Sequence, residues 1–90
     1  MRILVTKEDL ERGVRGSAWE NPLGYAFARA FNAKYAFVGR TICLNTGLRI
    51  DLQDIGLEKM TAFDKGEKLV PFDIPVSAEA VYRSSLNHKF

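Results

Sequence analysis

One cysteine and one histidine leave this chain little with which to hold a metal or activate a nucleophile. Cys43 has no second cysteine for an internal disulfide, so a reducing compartment is the simplest expectation. A closed zinc site takes four ligands, and no acidic run has the spacing of a calcium loop. A nucleophilic triad needs a base held by an orienting group, whereas His88 stands two residues from the last position. Cys43 falls in an apolar run and reads as a packing residue. Asp64 and Asp73 are not paired at a catalytic spacing, and Glu8, Asp9 and Glu11 read as a solvated cluster between Lys7 and Arg12. The expectation is no catalytic residue, no metal and no cofactor: not an enzyme.

Long apolar runs are missing too. "MRILVTKEDL" is too short in its hydrophobic part for a secretory signal, and no stretch approaches membrane-spanning length. That predicts a cytoplasmic protein without a membrane partner. A large excess of either charge is also absent, at a net +2. With 47% hydrophobic and 27% charged residues, disorder of the whole chain is excluded as the expected state. Ninety residues make one domain, which buries roughly 60–65% of its unfolded surface.

What is present is a legible order of elements. "RILVT" (2–6) reads as an opening strand, followed by one helical turn around Glu8 to Arg12 that Gly13 stops. Asn21-Pro22 starts a helix: Asn accepts a bond from a first-turn amide, and proline has its φ already set. Leu23, Phe27, Ala30 and Phe31 form the apolar stripe of that helix, flanked by Ala26 and Ala33. Tyr25, Arg29 and Asn32 form its solvent stripe, so loss of the Arg29 side chain should be nearly neutral for stability. Residues 35–52 read as a three-stranded meander with Asn45-Thr46-Gly47 as a hairpin loop. Pairing Leu44 with Leu48 sets Ile42 opposite Ile50 on the core face and sends Cys43 and Arg49 to the other. Asp54 to Lys65 makes a second helix, with Gly66 just past its end. "LVPFDIPV" is an extended strand that its two prolines confine to a sheet edge or to a partly paired segment.

The predicted fold is therefore a small α+β domain over 1–76, strand-helix-meander-helix-strand, with helices packed on a mainly antiparallel sheet. Phe27, Phe31, Ile42, Ile50, Leu57 and Phe63 are its expected core. Residues 77–90 form a tail that either begins a short helix at Ser77 or frays.

Three features bear on function. Gly13-Val14-Arg15-Gly16 has the glycine spacing of a phosphate or RNA-backbone clamp. The helix, however, begins only after five more residues, Pro22 offers no N–H, and Glu20 would repel an anion, so the glycines read as turn residues. Trp19 lies just outside the helix cap, where it either staples onto the helix start as core or stands exposed as an interaction residue. Residues 21–50 carry Arg29, Lys34, Arg40 and Arg49 with no acid, while 51–90 carry seven acids and five bases. The basic stretch reads either as a solvated face or as a nucleic-acid surface on which Tyr35 or Phe37 would stack bases.

"VTKEDLERGVRGS", a proline opening an apolar helix, "VGRT" entering the meander and "FDKGEKLVPFDI" together resemble a family of small proteins encoded by phages, prophages and some bacteria. The resemblance spans about residues 3 to 75. Many members have Cys-Pro where this chain has Asn21-Pro22, often with another cysteine just before, so a metal or redox role for those cysteines has no counterpart here. The family has no assigned activity. Its context implies a protein that binds a host protein and inhibits or redirects it, as anti-defence inhibitors such as anti-CRISPR proteins do. The expected contact residues are Arg12, Arg15, Trp19, Tyr25 and Arg29, with Arg40 and Arg49 as a basic rim, on a monomer or weak homodimer. The alternative is a small nucleic-acid binder using residues 21–50.

Overall fold

The structure is a computed structural model that describes residues 1–83. Strand β1 (Arg2–Val5) turns Ile3 and Val5 inward by simple alternation. Helix α1 (Lys7–Arg12) opens on a capping box: the Asp9 N–H donates to Thr6 Oγ1 (3.2 Å) and the Thr6 N–H to Asp9 Oδ2 (3.0 Å). It stops at Gly13, as expected. Helix α2 (Pro22–Ala30) starts where the sequence says it should, the Leu23 N–H donating to the buried Asn21 Oδ1 at 2.9 Å. Strands β2 (Ala36–Val38), β3 (Thr41–Leu44) and β4 (Leu48–Asp51) form the meander, with Ile42 opposite Ile50 and Cys43 opposite Arg49. Helix α3 (Asp54–Asp64), strand β5 (Phe72–Pro75), a 3₁₀ turn (Ala78–Ala80) and strand β6 (Val81–Arg83) complete the described chain. The protein is a small α+β fold whose helices pack on antiparallel sheets.

The strands sort into two sheets. A four-stranded antiparallel sheet has the order β2-β3-β4-β6, and β1 pairs only with β5 in a separate two-stranded one. Pro71 just before β5 and Pro75 at its end are both exposed, consistent with its edge position. In the segment expected to be a tail, the 3₁₀ turn is followed by a sixth strand that extends the meander sheet; residues 84–90, with His88, lie outside the described residues.

Helix α2 packs against β1, β2 and β3, and so joins the two sheets. Its buried face is Leu23, Ala26, Phe27 and Ala28, rotated from the expected stripe, and Ala30 is exposed. The small side chains face the strands because the helix closes tightly there: a Cβ on Gly24 would sit 3.0 Å from Val38 Cγ2. The helix also ends earlier than its apolar spacing suggests. Asn32 takes a left-handed φ of 55°, and the Ala33 N–H reaches back to the Ala28 carbonyl at 2.7 Å. This is a Schellman ending with asparagine in the place glycine usually fills.

The expected single core of six residues divides. Phe27, Ile42 and Ile50 are at its centre, joined by Ile3, Val5, Leu23 and Ile74, while Phe31 and Leu57 sit half-buried at the margin. Phe63 is buried outside that cluster, under Gly13.

That contact explains the glycine pair. A Cβ on Gly13 would meet Pro22 Cδ and Cγ at 2.5 Å and Phe63 Cζ at 2.9 Å, so the backbone needs a residue without a side chain. Gly16 has a φ of 77° and donates its N–H to Asp64 Oδ1 at 3.0 Å. A carboxylate of the chain itself therefore occupies an amide that an anion-binding loop would offer. The loop is a turn fastened to the end of α3. We expect Gly13→Ala to destabilise by about 1–3 kcal/mol through overpacking against a rigid proline ring. Gly16→Ala, with open space around it, should cost about 1 kcal/mol in backbone strain. Urea denaturation of the two variants checks the order; an innocuous Gly13→Ala means that α1, α2 and α3 do not close over this loop.

Candidate functional site

The sequence places Trp19 in a loop, and the path of that loop decides its environment. The Val38 N–H donates to the Ala18 carbonyl at 2.9 Å, laying residues 17–20 along the outer edge of β2. Trp19 is thereby carried to the surface and not into the core, at 55% exposure. Its ring meets Phe37 edge-on at 5.0 Å between centroids and Tyr35 at 5.7 Å. Those two are 41% and 54% exposed, because alternation along β2 turns Ala36 and Val38 inward and their neighbours outward. Three aromatic rings thus support one another on the solvent side of the sheet.

Beside this cluster lies a cleft of about 310 Å³ between α2 and the approach to β2. Arg12, Trp19, Tyr25, Arg29, Lys34 and Tyr35 line it, over a floor of Gly24, Ala28, Ala33 and Ala36. No carboxylate is among these residues. The Arg12 guanidinium lies over the Tyr25 ring, 4.1 Å from its centroid, so the end of α1 is tied to the face of α2. Four of the expected contact residues, Arg12, Trp19, Tyr25 and Arg29, come together here from three separate segments.

Arg29 plays a different part from the one expected. Its Nη1 and Nη2 donate to Asp9 Oδ1 and Oδ2 at 2.9 and 2.7 Å, and Nη2 also donates to the Leu4 carbonyl at 3.0 Å. Asp9 is almost completely buried, not part of a solvated cluster. Burial pushes its carboxyl up, but the Arg29 hydrogen bond, the Thr6 N–H and the guanidinium charge outweigh that and hold it below the usual carboxylate range. The same bond raises the pKa of Arg29. Arg29 thus pins α2 to α1 and β1 through a forked ion pair while half of its side chain stays in solvent.

Arg15 is not in the cleft. It turns to the end of α3, where Nη2 donates to the Gly66 carbonyl at 3.4 Å, and lines a different groove with Phe63 and Leu69. Arg40 stands exposed in the turn between β2 and β3. Arg49 lies on the outer sheet face with Nη1 3.4 Å from the Sγ of half-buried Cys43. The strand registers align Phe37, Cys43, Arg49 and Tyr82 in one row across the four strands. Two strand spacings, about 10 Å, therefore separate Arg49 from the aromatic cluster, and it borders that surface without joining the cleft.

The sequence raised Lys34, Tyr35 and Phe37 only for the nucleic-acid alternative and gave Tyr82 no place. The outward alternation of Tyr35 and Phe37 was a usable signal. Tyr82 carried none, since its strand was not expected; its hydroxyl donates to Asp51 Oδ1 at 2.9 Å, and that bond raises its pKa.

Among the described residues, no group of three or more His, Cys, Asp or Glu side chains is placed to hold a metal ion, and no helix is long and apolar enough to cross a membrane. No family model matches the chain, and neither a curated protein nor a solved structure matches it.

Proposed function

We propose that this chain is a non-catalytic protein-binding module whose contact surface is the Trp19–Tyr35–Phe37 cluster with the adjoining cleft. The exposed aromatic cluster carries the reading. Three large rings that support each other in solvent, beside a stacked arginine, have the composition of residues that dominate protein interfaces. Their pairing lowers the entropy lost on contact, because each ring already holds its neighbours in place. The resemblance to small phage-encoded proteins adds the setting: the partner is a host protein, met in the cytoplasm and inhibited or redirected by occupancy, in the manner of an anti-defence inhibitor. Neither turnover nor a cofactor enters this reading.

The test is capture from host lysate with the unaltered protein and with Trp19→Ala/Tyr35→Ala, each run with and without nuclease. Both side chains are more than half exposed, so the double variant should lose only about 1–2 kcal/mol of stability from its ring contacts. It should lose most of its captured partner while remaining folded by circular dichroism. Undiminished capture by the folded double variant removes the aromatic cluster from the interface. Capture that disappears with nuclease gives the decision to nucleic-acid binding.

A further inference from the structure

The cleft beside the aromatic cluster has a definite chemical character. Its rim offers three cations and no carboxylate, and its floor is made of glycine and alanines. The Arg29 charge is largely taken up by Asp9, but among the described residues neither Arg12 nor Lys34 has an ion pair. A volume of about 310 Å³ is the low end for a ligand pocket, room for one large side chain. From these observations, and resting on the protein-binding reading above, we infer that the cleft receives an acidic segment of the partner protein. One apolar anchor of that segment lies over the alanine floor against Trp19 and Tyr25, and flanking carboxylates reach Arg12 and Lys34.

A nucleic acid fits the same surface less well. Tracking a phosphate backbone takes several cations in a line, and two uncompensated ones are present. Stacking of successive bases takes rings with parallel faces, whereas Trp19 is inclined at 62° to Tyr35 and 73° to Phe37. An acidic peptide segment asks only for local charge complementarity and one hydrophobic socket.

Trp19 is the single tryptophan, so its emission reports on the cleft directly. The full chain is titrated with acetyl-Glu-Asp-Phe-Asp-Glu-amide, with the same peptide carrying alanine for phenylalanine, with acetyl-Lys-Lys-Phe-Lys-Lys-amide, and with an oligothymidylate. The acidic phenylalanine peptide should change Trp19 emission saturably, and the other three should bind at least about tenfold more weakly. Arg12→Gln/Lys34→Gln should weaken the acidic peptide about tenfold, the sum of two partly exposed ion pairs. No saturable change with the acidic peptide, or an equal response to the basic one, overturns the inference. Equal binding of the alanine peptide overturns the anchor, and tighter binding of the oligothymidylate transfers the cleft to nucleic acid. If the acidic peptide fails while Trp19→Ala/Tyr35→Ala still abolishes nuclease-resistant capture, the protein-binding reading stands and only the partner's charge class falls.

Discussion

Phe27→Ala should lower the unfolding free energy by about 3–5 kcal/mol, a large share of what a domain of this size possesses. Phe27 has no exposed surface and lies on the helix that touches both sheets. Truncation removes the apolar area of the ring and leaves a void that neither sheet can fill without breaking its own ladder. A urea titration should show a sharply lower midpoint with an unchanged slope, because the same surface is exposed on unfolding. A loss below about 1 kcal/mol would mean that α2 is not the centre of the core.

Arg29→Ala should be costly as well, in contrast to the near neutrality that its place on the polar stripe suggests. Removing one partner of a buried ion pair leaves a desolvated charge, which typically costs about 3–5 kcal/mol. Arg29 is half in solvent and the Asp9 carboxylate keeps its bond from the Thr6 N–H, so about 2 kcal/mol is the expected loss. The pH dependence identifies the cause. The folded-state pKa of Asp9 is depressed, so its contribution is complete above the unfolded value of about 3.9 and is lost as pH falls through the folded one. The stability gap between the unaltered protein and Arg29→Ala should therefore be widest near neutrality and close below about pH 4. Denaturation midpoints at neutral and acid pH measure it. A gap that does not change with pH would assign the loss to the packing of the arginine stem and not to the carboxylate.

Much of the fold was legible because several local rules pointed the same way. The meander register followed from alternation together with a glycine able to take the positive φ that Gly47 adopts at 94°. The start of α2 followed from Asn21-Pro22. Its end did not, since an apolar residue at position 31 continued the stripe while Asn32 supplied a competing left-handed stop. Asp9 read as solvated because no local rule joins it to Arg29 across twenty residues, and the capping box it forms with Thr6 was not anticipated. Strand β6 escaped because three residues on a sheet edge carry too little alternation to recognise. At the surface, Arg12, Trp19, Tyr25 and Arg29 were selectable by residue type, yet Arg15 of the same loop faces elsewhere. Residue type names candidates, and only the path of the loop from Ala18 to the edge of β2 sorts them.

The pairing of β1 with β5 sets a condition on how the protein is made. Residues 2–5 find their hydrogen-bonding partners only at 72–75, and the N-terminal ammonium donates to the Val76 carbonyl at 2.8 Å. Ile3 and Val5 leave the ribosome long before the strand that pairs over them, and nearly the whole described chain lies between the two. The meander can close on itself as it emerges, since its contacts are local. The two-stranded sheet closes a loop of most of the domain and pays its entropy late. Strand β1 is thus translated well before its partner, and until β5 follows the nascent protein carries an unpaired apolar strand.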